Sequence, residues 1–173
     1  MSELKESWSD RTCDVAITRD DYIEGLRQSY YGEIVAEGYY RRLALGEPEG
    51  YRRTALSLIA DVEDTTQRRL APFAAAQGIA LTPEDRDRRI HARMQNLGQF
   101  DWDVFIRKAH LEWPAYLDQF EHIERLAQAR GEHGLKFLVD HERALLEFVR
   151  LELAAPGSYA ALLPMRSYIA AAP

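Results

Sequence analysis

Apolar side chains recur along most of this chain at steps of three and four. That is the period of a helix with one face turned to a core. The pattern is cleanest late in the chain. Counted from Glu142 in steps of three, four and seven, the neighbours are Leu135, Leu138, Val139, Leu145, Leu146, Val149 and Leu153. No stretch alternates apolar and polar residues as a half-buried strand would. A first long helix is predicted from about Thr18–Asp21, where Thr18 can cap it and Asp20 and Asp21 favour the positive end of its dipole. It runs to about Leu45 and ends in Gly46-Glu47-Pro48-Glu49-Gly50. A second spans about 51–73, with Gly78 at its exit. Thr82-Pro83-Glu84-Asp85 opens a short Arg-rich helix that reaches about Met94, and Gly98 breaks it. A third long helix covers about 101–129 and contains Pro114, which must kink or split it. Gly131-Glu132-His133-Gly134 then leads tightly into a fourth, about 135–155.

Two long pairs with short loops, joined by one longer connection, predict an all-α fold. Its form is an antiparallel four-helix bundle: two helix hairpins and a long crossover that carries the short helix. Residues 1–18 are expected to be an N-terminal arm, 19–155 the bundle, and 156–173 a tail packing on it.

Composition narrows the partners. The 173 residues are 46% hydrophobic, enough for a sizeable core. The net charge is −6, with 22 basic against 28 acidic residues, so a nucleic-acid partner is not expected. The run Arg86, Arg88, Arg89 and Arg93 is interleaved with acids and reads as a solvated face. A single cysteine, Cys13, excludes an intramolecular disulfide. No apolar run approaches the ~18 residues of a membrane span, and the start is polar. A cytoplasmic protein without a membrane partner is therefore expected. Glycine-rich phosphate loops, a nucleophile elbow and a His-Glu-x-x-His motif are all absent.

Four carboxylates break the apolar faces. Glu142 sits in the middle of its aliphatic stripe, and Glu63 lies among Leu56, Ile59, Ala60, Thr66 and Leu70. On the first helix Leu26, Tyr30, Glu33, Glu37, Tyr40 and Ala44 share a line. On the third, Phe105, Ala109, Glu112, Tyr116, Phe120 and Ile123 do the same. Glu33 precedes Glu63 by 30 positions, and Glu112 precedes Glu142 by the same interval. An ionised carboxylate among aliphatic side chains costs several kcal/mol unless it is paired, protonated or bound to a metal.

In these features the chain resembles the ferritin-like superfamily of carboxylate-bridged di-iron proteins, over about residues 20–155. The segments that carry the likeness are Tyr30-Tyr31-Gly32-Glu33-Ile34-Val35-Ala36-Glu37 and His141-Glu142-Arg143-Ala144-Leu145. In that family two helices each give one Glu, and two each give a Glu-x-x-His pair. The resemblance implies Glu33 and Glu112 as single ligands, with Glu63 and Glu142 opening the pairs. Both histidines of the pairs are replaced, by Thr66 and Leu145. Glu37, His110 and His141 are the secondary candidates. The resemblance implies a dimetal-carboxylate oxidoreductase or metal-handling protein using iron or manganese. Oxygen ligands alone would favour manganese, magnesium or calcium over iron.

A metal-free alternative stands beside it. Arg41, Arg52 and Arg69, with Tyr30, Tyr40 and Tyr116, have the spacing to neutralise the acids. The chain would then be a binding or interaction module. Second apolar faces with Tyr31, Tyr39, Phe137, Phe148 and Leu151 would suit a homodimer. The aromatic set Trp102, Phe105, Trp113, Tyr116 and Phe120 reads as core packing or as the wall of a small-molecule pocket. A haem-oxygenase-like helical enzyme is a third reading. No substrate is specified.

Overall fold

The computed structural model describes residues 19–95 and 100–172, and among these the chain is helical with no strand. Helix α1 (Arg19–Gly46) has Asp20 and Asp21 in its first turn, and α2 is Tyr51–Ala76. The short link between two such long helices makes them an antiparallel pair, packed together along their length. Helix α2 continues past Pro72 and closes at Gly78, whose φ of 69° allows the Ile79 amide to reach the Ala74 carbonyl at 2.9 Å.

The crossover carries α3 (Pro83–Gln95). As expected, Thr82 caps it: its Oγ1 accepts from the Asp85 amide at 3.2 Å. Helix α3 lies on α1, with the buried Ile90 seated against Gly38. A Cβ at Gly38 would collide with Ile90 Cδ1, so glycine there lets Ile90 seat as it does between the two helices.

The third long helix is split. Helix α4 (Trp102–Glu112) is capped by Asp101, which accepts from the Val104 amide at 2.8 Å, and α5 (Pro114–Ala129) begins on the proline. Pro114 has no amide to give, so the ladder breaks there and restarts from the Trp113 carbonyl. Helix α6 (Lys136–Ala154) follows, then a 3-10 turn (Tyr159–Leu162) and α7 (Leu163–Ala171). Helices α4 and α5 pack on α6, α5 also reaches α1, and α7 lies against α6 and α2. The tail thus covers the helices, with Leu162 and Met165 fully buried. Thr18, the arm at 1–18, Cys13 and Gly98 lie outside the described residues. No described helix is long and apolar enough to cross a membrane.

The second apolar faces are covered within the chain. Tyr39, Phe137 and Phe148 are buried, and Tyr31 and Leu151 are half-buried. Arg89 and Arg93 of α3 lie over Tyr31 and Tyr39. Leu153, expected on the inward stripe of α6, is exposed.

Two apolar cores form. One gathers Tyr40, Leu56, Ile59, Trp102, Phe148 and Met165. The other gathers Tyr22, Leu26, Leu70, Ile123, Leu126 and Leu138. Each of α1, α2 and α6 contributes to both, and on these helices a group of buried polar residues stands between the two blocks. They are Glu33 on α1, Glu63 and Thr66 on α2, and His141 and Glu142 on α6, all buried.

Candidate metal centre

The three helices bring their polar residues to one place. His141 Nε2 is 3.5 Å from Glu33 Oε1 and 3.8 Å from Glu142 Oε2. One ligand-capable atom each of Glu33, Glu63 and His141 lies within 4.8 Å of the others. No other such group of three acids, histidines or cysteines is found among the described residues.

Three buried atoms here have no hydrogen-bond partner: Glu33 Oε2, Glu142 Oε1 and His141 Nδ1. The carbonyls of Leu138 and Phe137 stand close enough to Nδ1 to pull the imidazole pKa up. They are not placed for a well-formed hydrogen bond. Burial outweighs them and lowers the His141 pKa from 6.5 to about 4. Burial also raises Glu33 well above 4.5, reinforced by the Glu63 charge, a hydrogen bond to Glu63 and the Glu142 charge. Glu142 is raised by burial and then by Glu63. Glu63 is raised by burial, partly offset by the hydrogen bond from Glu33 and the charge of Arg93. With no cation bound, burial thus favours the protonated form of the acids and the neutral imidazole, and Arg93 offsets this at Glu63.

A second buried acid shows what full satisfaction looks like. Glu152 accepts from Tyr51 Oη, from Trp102 Nε1 at 2.9 Å and from the Gly157 amide at 3.2 Å. That acid ties α2, α4 and the turn after α6 together, and nothing at it is left unpaired. The orphaned atoms of Glu33, Glu142 and His141 differ in kind, because their desolvation is uncompensated.

The arrangement fits a divalent transition metal. Oxygen and nitrogen ligands about 2.0–2.2 Å from a metal lie roughly 3–4.2 Å from one another, near the separations seen here. One imidazole beside the carboxylates suits iron or zinc better than an all-oxygen set would, while the carboxylates still suit manganese. Around the cluster, Phe120 meets the His141 ring edge-on at 4.9 Å. Thr66 Oγ1 pairs with Tyr168 Oη at 2.8 Å, so the position expected to lack its histidine ties down the tail instead. A cavity of about 160 Å³ opens beside the acids, walled by Tyr40, Arg93, Trp113, Tyr116, Gln119 and Phe120.

Of the expected ligands, Glu33, Glu63 and Glu142 come together, and His141, a secondary candidate, joins them. Glu112 does not. It is exposed at the end of α4, because the buried line there runs through Trp102, Ile106, Ala109 and Trp113. Trp113 takes the inward place, and the break at Pro114 severs the phase that linked Glu112 to Phe120. His110 is exposed as well. Glu37 turns to Arg41 at 3.0 Å and Arg86 at 3.1 Å. Arg41 also holds Asp61 at 2.7 Å, Arg69 lies over Phe137, and Arg52 is exposed, so none of the three is seen paired with a cluster acid.

Arg93 is exposed, as a residue of a solvated face should be, and its charge also acts on Glu63. Its signal was present: Arg86 and Arg93 flank Ile90 at −4 and +3, on the face of α3 that docks. Glu152 and Tyr168 carried no such mark. No protein-family model, no curated protein and no solved structure matches this chain, so the functional reading rests on the geometry of these residues alone.

Proposed function

We propose that this chain is a ferritin-like helical bundle holding a divalent iron or manganese centre on Glu33, Glu63, Glu142 and His141, and that it acts as a metal-dependent oxidoreductase. The observation that carries the reading is the set of orphaned atoms on Glu33, Glu142 and His141, buried between two apolar cores. Two acids and a histidine with unpaired buried atoms cost stability, and a cation bound between them and Glu63 is the partner that would compensate all of them at once. The metal would supply redox chemistry and Lewis acidity. The chain's own residues hold the ligands on three helices and leave beside them a cavity for a small reactant. That cavity favours an enzyme over a storage protein.

One observation favours the metal-free alternative. Burial favours the neutral forms of the acids and of the imidazole, and Arg93 faces Glu63, so a binding module built on the same bundle is self-consistent. Metal content separates the two. The protein is produced with added iron or manganese, dialysed, and assayed for bound metal, beside Glu63→Ala and Glu142→Ala. Stoichiometric metal in the wild type and its loss in both variants are expected. A folded wild type that binds neither ion, and whose stability ignores both, overturns the proposal.

A further inference from the structure

Beside the inner cavity lies a second one of about 370 Å³, between α1 and α3. The two share Gln28, Gly32 and Arg93 as lining residues, so the outer cavity adjoins the one beside the acids. Its charge is opposite to that of the protein. Three guanidiniums, Arg27, Arg89 and Arg93, line it against the single carboxylate of Glu24, in a chain where acids outnumber bases 28 to 22.

Glu24 is already engaged with Arg27 and with Gln28 at 3.0 Å. Arg86 and Arg88, the other arginines of α3, are paired with Glu37 and Asp85. Arg89 and Arg93 are bound differently. They stand one turn apart and lie over aromatic rings of α1, Arg89 at 5.5 Å from the Tyr31 centroid and Arg93 at 4.4 Å from that of Tyr39. Neither forms a salt bridge with a carboxylate among the described residues. A guanidinium held by its face keeps its in-plane N–H donors for another acceptor, in a fixed orientation. The rings themselves are anchored: Tyr31 Oη donates to the Ala80 carbonyl at 2.6 Å, and Tyr39 is buried.

Planar, oriented and unpaired guanidiniums suit an oxyanion. We propose that the Arg89–Arg93 cavity docks the anionic end of this protein's substrate, a small molecule bearing a carboxylate or phosphate group. The rest of that molecule passes Gly32 into the cavity over Glu33, Glu63, His141 and Glu142. The word substrate rests on the metal-centre reading; the anion site itself does not. Gly32 suits a passage, since a Cβ built there meets nothing within 4 Å.

Binding of inorganic phosphate and of succinate, measured by calorimetry on metal-free and manganese-loaded protein, tests the proposal. At least one probe is expected to bind the wild type more tightly than about 1 mM. The double variant Arg89→Gln/Arg93→Gln should weaken it tenfold or more, and Arg107→Gln, an exposed arginine on α4, should leave it unchanged. Arg93→Gln also removes a contact between α3 and Tyr39, so Arg89→Gln alone is the second variant, with a several-fold loss expected and the melting temperature as its control. Preference for phosphate or for succinate identifies the headgroup. The proposal is overturned if neither probe binds at 10-fold that concentration, or if the double variant binds as the wild type does. Failure of the metal reading looks different: no manganese is retained on dialysis, while the arginine-dependent anion binding of the metal-free protein persists.

Discussion

Replacing Glu142 by leucine should stabilise the metal-free protein. Glu142 Oε1 has no partner, and Oε2 comes no nearer than 3.8 Å to His141 Nε2, which is beyond a hydrogen bond. The substitution therefore breaks no bond. It removes a buried carboxyl whose pKa burial has driven upward and puts a side chain of similar volume beside Leu145. An unsatisfied buried polar group costs about 1–3 kcal/mol, and that is the expected gain. In a chain of this size each kcal/mol moves the melting temperature by about 2–4 °C.

Glu152→Leu is the matched opposite. It strands Trp102 Nε1, Tyr51 Oη and the Gly157 amide, and should cost about 3 kcal/mol or more. Urea unfolding of both variants with a chelator present, at neutral pH, reads the two signs directly. Adding metal should then reverse the first order, because only the wild type gains binding free energy from it. If Glu142→Leu destabilises as Glu152→Leu does, the cluster is a structural polar network and the argument from orphaned atoms fails.

The pH dependence of the same pair follows by linkage. Above the ordinary carboxyl value of 4.5 the unfolded chain has released the Glu142 proton and the native state retains it. The stability contributed by that proton is complete below 4.5 and is lost as pH rises through the raised native value. The advantage of Glu142→Leu over the wild type should therefore widen with pH above 4.5, by up to about 1.4 kcal/mol per pH unit; a constant gap across that range refutes it. His141 acts in the other direction, its contribution being lost as pH falls from 6.5 through about 4, and it is common to both proteins. Gly38→Ala places a Cβ against Ile90 Cδ1 and 3.2 Å from its Cγ1, and should cost about 1–3 kcal/mol less the small helical preference for alanine. Gly32→Ala, with open space around it, should be neutral or mildly stabilising, and equal melting shifts for the two would contradict the docking of α3. Glu112→Ala and His110→Ala should leave bound metal unchanged in the dialysis assay, since both side chains are exposed; loss of metal in either would mean that α4 turns inward.

What the sequence revealed is what periodicity can carry within one unbroken helix. Glu33, Glu63 and Glu142 each stand on a helix whose phase holds for many turns on both sides, and all three are buried. The start of α3 at Thr82-Pro83 was legible because a cap is local chemistry. Glu112 failed because its line was drawn across Pro114, where the ladder of hydrogen bonds restarts. His141 was undervalued because adjacent helical residues point about 100° apart, which suggests that they cannot share a site. Here most of the circumference of α6 is covered, by α5, α2, α4 and the tail, so both residues are buried and both reach the cluster. Tyr168 depends on how α7 docks, which no local pattern specifies.

The missing fourth carboxylate has a structural consequence. A strict two-fold repeat of the hairpins would have put an acid from the α4–α5 region opposite Glu33. That side is occupied instead by Trp113, Tyr116, Gln119 and Phe120, and it is where the inner cavity lies. The cluster is thus closed on three sides by α1, α2 and α6 and open on the fourth, toward a wall that is aromatic and mostly apolar. A site meant only to be neutralised would gain from closing that side with an arginine, as Glu152 is closed by its three donors. A site meant to receive a reactant needs the gap, a wall that does not compete for the metal, and a way in. The split at Pro114 leaves Glu112 outside and supplies the wall in one stroke, and in the proposed reading the cavity past Gly32 supplies the way in. Filling the gap should therefore separate holding a metal from using it. Gln119→Glu, which adds a carboxylate to the open wall, is expected to keep or tighten manganese binding while weakening whichever anion probe the wild type binds. Equilibrium dialysis and calorimetry on the one variant read both, and a loss of manganese with the anion unaffected would show that the open side does not face the metal.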